Sequence, residues 1–344
     1  MNYNNLSVEA IRVDYDTPRC NRAKLDTGTF CNYDCEFCYY QGMLDIKTDY
    51  SKIEERINKL YEYGITQVDL SGGESSVHSD WFKILDYCNE KFEHISCLSN
   101  GWRFAKEDFV IKSKQHGLKE VLFSLHGYDE KSHDEIVRRK GAWVKILKAI
   151  ENCQKHDIIV RVNCTVYQHN YKGLKEYHKI IKHIKPLEVN FITLNFWVNN
   201  RTFKPPRYVD ITNEIKNCVD KIKDHVRYIN VRYTPYCFMQ GYEKHVCNQY
   251  QHIYDIYDWN KEIYDYDLDT SKQYSDKEKI DLGYAKARKD RLNDYKKPKE
   301  CLNCKFFYIC DGIENEVDDD VIPIPGEKIY DVNHFRKDFY KNEV

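Results

Sequence analysis

Residues 158–166, IIVRVNCTV, place Arg161, Asn163 and Thr165 on one face of an extended chain and Val160, Val162, Cys164 and Val166 on the other. The alternation recurs along the chain. Asp69 and Ser71 oppose Val68 and Leu70, Ser124 and His126 oppose Phe123 and Leu125, and Thr193 and Asn195 oppose Ile192 and Leu194. A parallel sheet covered by helices on both sides is apolar on both faces, and an ordinary closed barrel fills its lumen with branched apolar side chains. A curved sheet with helices outside and a ligand on its concave side satisfies the pattern better. The competing explanation is that the polar groups bond to one another near the strand ends.

Working outward, β-like runs at 24–30, 66–73, 94–101, 119–127, 158–167 and 188–197 alternate with helical stretches at 51–64, 81–92, 106–117, 129–156, 173–185 and 210–226. Six strands alternating with helices predict parallel βα units joined by right-handed crossovers. The rhythm stops near residue 228. A Tyr/Asp-rich connection at 250–270 leads to a charged helix within 275–300, then to CLNCKFFYICDG (301–312) and the acidic run 314–320, which reads as a solvated loop. The expected division is an N-terminal extension 1–19, a βα core 20–230 and a C-terminal extension 231–344.

The 344 residues carry 53 Lys+Arg against 55 Asp+Glu, a net charge of −2, so no global basic field exists to grip nucleic acid. Mean hydropathy is −0.75. No apolar run approaches the roughly 20 residues of a membrane span, and the first residues lack the apolar core of a signal peptide. The expectation is a cytoplasmic protein without a membrane partner. Against that background 14 cysteines are informative, because thiols of such a chain stay reduced and disulfides are rare. Metal or redox chemistry is the leading explanation.

Cys31, Cys35 and Cys38 lie in TFCNYDCEFCYYQG, directly after the first strand. Three soft thiolates in one short loop can each take a different iron of a cubane cluster, leaving the fourth iron without a protein ligand. Zinc would call for a fourth ligand at short spacing. Packing in a core is a poor account, since Asn32, Asp34 and Glu36 interleave the cysteines.

The CxxxCxxC pattern, with aromatic Phe37 before its last cysteine and a βα series behind it, resembles the signature of the radical S-adenosylmethionine (SAM) enzymes. The resemblance implies a [4Fe-4S] cluster on Cys31, Cys35 and Cys38, with SAM chelating the open iron. It implies reductive cleavage of SAM to methionine and a 5′-deoxyadenosyl radical that abstracts hydrogen from a substrate. It implies an electron donor such as flavodoxin or ferredoxin. Gly72-Gly73-Glu74 resembles the family's GGE-like motif, in which Glu74 would accept from the SAM ammonium and the glycines would let backbone approach the ligand. Ser99-Asn100 resembles the end of the family's third strand, and Ser124 and Asn163 stand where the fourth and fifth strands often contact SAM. His126, Arg161, Tyr39 and Tyr40 are candidates for contacts to SAM or substrate, equally explained by structural hydrogen bonds. No catalytic acid or radical quencher is named. The fold expected is α/β: a partial (βα)6, TIM-like barrel of parallel strands with a small C-terminal iron-sulfur extension.

Cys301, Cys304 and Cys310 have CxxC-x5-C spacing, which alone suits a zinc knuckle as well as an iron-sulfur site. Beside a radical SAM core it resembles the SPASM and twitch extensions, which carry auxiliary [4Fe-4S] clusters. The further cysteine of a full SPASM pattern is missing from Asp311-Gly312-Ile313-Glu314, so one auxiliary cluster is expected. Its fourth ligand would be Cys237 or Cys247, with Cys237 favoured because it follows the last extended run. If neither ligates, an open iron could bind substrate. The remaining six cysteines read as buried small hydrophobes. About 30 residues precede Cys31, so no attached peptide-recognition domain is expected. The substrate is a peptide or a small molecule such as a sugar, nucleoside or natural product. The alternative, a non-catalytic iron-sulfur or zinc electron-transfer protein, leaves Glu74, Asn100 and the polar face unexplained.

Overall fold

The computed structural model describes residues 12, 15–17, 19–195, 203–257, 261–262 and 275–341. Most of the expected N-terminal extension and the end of the sixth strand run, with Phe196 and Trp197, lie outside the described residues. Strands β1 (Arg22–Asp26), β2 (Gln67–Ser71), β3 (His94–Ser99), β4 (Leu118–Ser124), β5 (Ile159–Val166), β6 (Glu188–Thr193) and β7 (Tyr228–Arg232) pair in chain order, all parallel. A two-residue β8 (Lys261–Glu262) adds to the free side of β1. The sheet curls into a half-barrel, the α/β architecture expected.

Helices α1 (Tyr50–Glu62), α2 (Trp81–Lys91), α3 (Glu107–Gln115), α4 (Glu130–Val137), α5 (Ala142–Lys155), α6 (Leu174–Ile184) and α7 (Tyr208–Ile222) connect the strands. The outer strand face is the apolar one, and Ala23, Val68, Cys97, Phe123, Cys164 and Phe191 are buried in a single core with the helices. The stretch 129–156 is two helices where one was expected. Arg138 (φ 51°) and Gly141 (φ 78°) turn the chain, and the Asp134 carboxylate accepts the N–H groups of Gly141 (2.5 Å) and Trp143 (2.8 Å), capping α5.

β7 is a strand beyond the six expected. Its five residues follow α7 closely, yet Asn230 and Arg232 alternate with Ile229 and Val231 in the pattern that marked the others. β6 differs in phase. Glu188 and Asn190 share its concave face, so Thr193 falls on the side of Val189 and Phe191 and bonds the Thr234 hydroxyl at 2.9 Å.

The concave face is polar, but its lower half holds its own partners. Arg22 Nη1 reaches Asp69 and Glu120, both at 3.0 Å. Arg161 donates to Glu120 (2.6 Å) and Glu188 (3.1 Å), and His94 meets Glu120 at 3.0 Å. Burial opposes the charge on Glu120, yet Arg161 and Arg22 outweigh it and hold the carboxyl well below its ordinary range. Beside β7, Asp255 accepts from Arg232 (2.5 Å), Asn230 (3.0 Å) and Tyr340 (2.6 Å), and Arg336 donates to Asn230 (2.8 Å). Arg161 is therefore a floor residue of the barrel, and the mutual-bonding explanation holds for this end of the lumen.

The C-terminal part continues the same core, with Tyr236 stacked on Phe306 at 5.3 Å. A charged helix α8 (Asp276–Asp294) runs into β9 (Tyr295–Lys296), which pairs antiparallel with β10 (Ile313–Glu314) and brackets the CxxC segment. The acidic run is not simply solvated. Glu314 and Val317 are buried, and Asp319 accepts the N–H of Tyr208 at 2.5 Å, meeting the positive end of α7.

Candidate functional site

Past β1 the chain crosses the end of β2 before reaching the first cysteine. Thr27 N–H donates to Ser71 O (2.9 Å), Gly73 N–H to Gly28 O (2.8 Å) and Glu74 N–H to Phe30 O (2.9 Å). A Cβ on Gly73 would lie 2.2 Å from Phe30 O and 2.3 Å from Thr29 O; one on Gly72, whose φ is +124°, would lie 2.1 Å from Gly28 O. The close approach these glycines permit is that of the cysteine loop's own backbone, where the sequence reading assigned it to a ligand.

The loop is held further by Cys31 N–H to Leu44 O and Cys38 N–H to Cys35 O, both 3.0 Å. Backbone N–H groups of Tyr33 and Tyr40 point at the Cys31 and Cys38 sulfurs, each at 3.4 Å. Such donors favour thiolate ligands. Burial, with Glu74 adding, pushes the unligated Cys31 thiol up to about 12. Phe37 packs edge-on against His126 (4.8 Å) and Tyr167 (5.4 Å). His126 is buried, which holds it neutral with a pKa of about 3; its Nδ1 accepts from Thr165 N–H at 3.1 Å, so its proton sits on Nε2.

The Glu74 carboxylate is buried and accepts from Ser99 Oγ (2.9 Å), Asn100 N–H (2.5 Å) and Ser76 Oγ. Burial raises its pKa while these donors oppose the rise. Asn100 Nδ2 donates to Asn32 (2.9 Å) and lies 3.8 Å from Cys31 Sγ. Glu74, Ser99, Asn100 and Cys31 thus converge at the carboxyl ends of the first three strands. Ser124 and Asn163 are register partners on β4 and β5, and Asn163 Oδ1 is buried without a hydrogen-bond partner among the described residues, as a surface awaiting a ligand would be.

Glu36 escaped the sequence reading. It lies inside the motif and accepts from the Tyr167 hydroxyl and His169 Nδ1 (2.9 Å), tying the cysteine loop to the end of β5. Tyr39 and Tyr40 stay on the β1 side, where Lys24 donates to the Tyr39 hydroxyl (3.0 Å) and Tyr40 donates to Asp26 (2.6 Å).

Cys301, Cys304 and Cys310 line one cavity together with Cys237, Lys297 and Phe307. Cys247 is elsewhere, its sulfur 3.8 Å from Asp255 on the barrel floor. The N–H groups of Ile324 and Gly312 point at the Cys304 and Cys310 sulfurs, both at 3.4 Å. Among the described residues no three His, Cys, Asp or Glu side chains are drawn tightly enough to hold a single metal ion. The donors around the cavity are all soft thiols, a set that suits an iron-sulfur cluster. A second apolar cluster joins the two cysteine sites, gathering Cys31, Cys35 and Phe37 with Tyr208, Phe238 and Cys237. The other six cysteines are buried.

The family model described as Radical SAM superfamily matches residues 25–181, the strands and loops that build the first cysteine site. The chain carries a radical SAM domain. Enzymes of the radical SAM superfamily bind SAM with a [4Fe-4S] cluster. The antilisterial bacteriocin subtilosin biosynthesis protein AlbA of Bacillus subtilis (strain 168) is 27% identical over 172 residues, 49% of this chain and 38% of AlbA. The chain spans only about two fifths of the length of the first curated relatives that it matches. Among solved structures, Streptococcus suis SuiB bound to S-adenosylmethionine aligns with a TM-score of 0.58 at 14% identity, covering 86% of this chain and 73% of SuiB. Native anSMEcpe with bound AdoMet and Kp18Cys peptide aligns at 0.57 and 16% identity, covering 93% of this chain and 96% of that one. Both likenesses are of fold, and both extend beyond the radical SAM domain into the C-terminal region. Among the described residues no helix is long and apolar enough to cross a membrane.

Proposed function

We propose that the protein is a radical SAM enzyme that modifies a peptide, with the first cluster on Cys31, Cys35 and Cys38 and an auxiliary [4Fe-4S] cluster on Cys237, Cys301, Cys304 and Cys310. The observation that carries this reading is the cysteine loop seated on Gly72 and Gly73 with Glu74 and Asn100 beside Cys31. When bound, the first cluster and SAM supply a 5′-deoxyadenosyl radical able to take a hydrogen atom from substrate.

The chain's own residues do the positioning. Glu74, kept in one orientation by Ser76, Ser99 and Asn100, would take the SAM ammonium. Phe37, braced by His126 and Tyr167, would wall the SAM site, with Ser124 and Asn163 as further polar contacts. Four thiols around the second cavity would leave its cluster no open iron, which assigns it electron transfer rather than substrate binding. The core at 20–230, the extension at 231–344, a flavodoxin- or ferredoxin-like donor and a cytoplasmic setting complete the proposal. Peptide is favoured over a small molecule by AlbA's role in bacteriocin biosynthesis and by the peptide held in the anSMEcpe structure.

After anaerobic reconstitution, dithionite and SAM should yield 5′-deoxyadenosine, and Cys35→Ala should abolish it; a fully loaded wild type that gives none refutes the enzyme reading. Triple Ala variants at Cys31/Cys35/Cys38 and at Cys301/Cys304/Cys310 should each lose about four irons per chain. Zinc kept in the first variant and lost in the second would overturn the auxiliary cluster. A short peptide encoded beside the gene should raise the 5′-deoxyadenosine yield and change mass. If only sugars or nucleosides raise it, the substrate is a small molecule.

A further inference from the structure

Lys297 is 1% exposed. It lines the cavity shared by Cys237, Cys301, Cys304 and Cys310, its Nζ donates to Phe307 O at 2.5 Å, and it stands 4.8 Å from the centre of the Phe307 ring. Burying an ammonium group is costly unless a negative charge is near. The neighbouring buried cation, Arg291, faces Asp311, with Nη1 3.6 Å from Oδ1. Lys328 approaches from the tail but directs its Nζ to the carbonyls of Leu302 and Cys304. Four thiolates around an oxidised [4Fe-4S] core leave a doubly negative group, and one more electron makes it triply negative. Lys297 lines the cavity wall itself, so in its charged form it would answer that charge most directly.

We propose that Lys297 is the resident counter-charge of the auxiliary cluster and raises its reduction potential, an inference that rests on the four-cysteine reading above. A fixed cation in a low-dielectric site stabilises the more negative, reduced state more than the oxidised one. Lys297 therefore makes the cluster a better electron acceptor.

The test uses the full-length Cys31/Cys35/Cys38→Ala protein, in which the auxiliary cluster stands alone, reconstituted anaerobically and titrated by EPR against potential. Lys297→Met should shift the midpoint to more negative values at unchanged iron and sulfide content, whereas Lys297→Arg should leave it near the parent. Lys297→Gln keeps a donor for Phe307 O without the charge and should follow the Met variant, which covers a failure of Met to load. Equal midpoints in all variants, or equal shifts in Arg and Gln, would overturn the counter-charge role. A parent that takes up no iron and sulfide would instead sink the four-cysteine reading, and the inference with it.

Discussion

A single methyl group at Gly73 would meet two carbonyls of the cysteine loop at 2.2 and 2.3 Å, and neither is the end of a flexible side chain. Gly73→Ala should therefore unseat the loop while sparing the rest of the sheet. The expected result is loss of about four irons per chain with the auxiliary cluster retained, checked by iron and sulfide analysis alongside an unchanged far-UV circular dichroism spectrum. Cysteine spacing and the Gly-Gly-Glu triplet were legible because their chemistry is local. Glu36 was not, since its partners Tyr167 and His169 lie in the turn after β5, more than 130 residues away, and no spacing rule links them. Arg161 was legible as lumen-facing but not as a floor residue, because alternation names a face and says nothing of depth along it.

At the scale of elements, the alternation of strands and helices and the parallel pairing followed from periodicity, whereas boundaries depended on side-chain caps that periodicity does not register. The apolar pattern runs through 129–156, and what divides it is Asp134 accepting from Gly141 and Trp143. Asp134→Ala should destabilise the protein by about 1 kcal/mol, read as a lower urea midpoint with an unchanged slope. The break matters for the site, since it places Ile136, whose carbonyl accepts the Glu36 N–H at 3.0 Å, against the cysteine loop. β7 hid because five residues between a helix and a turn give too short a run to stand out, although its alternation matches its neighbours.

Across the whole molecule, buried polar groups set the response to acid. Burial holds His126 at about 3 and both His133 and His245 at about 4, below the ordinary value of 6.5. Each binds fewer protons folded than unfolded, so each contributes stability that is present above about pH 6.5 and is lost as pH falls towards 4. Buried carboxyls work in the opposite sense: Glu188 is raised to about 7 by burial and by Asp255, Asp294 to about 6 by burial and by Asp290 and Glu316, and burial raises Glu74 and Asp311. The histidine share shows in a variant: the change in urea midpoint from pH 7 to pH 5 should be more favourable in His245→Asn than in the parent. The same pH change in both proteins would mean that the His245 ring is not buried in solution.

The seats of the cysteine loop are peptide groups: Gly73 on Gly28, Glu74 on Phe30 and Cys31 on Leu44. None of these bonds contains iron. Peptide groups survive side-chain substitution, so an Ala at Cys31, Cys35 or Cys38 removes a sulfur and leaves the loop its seats.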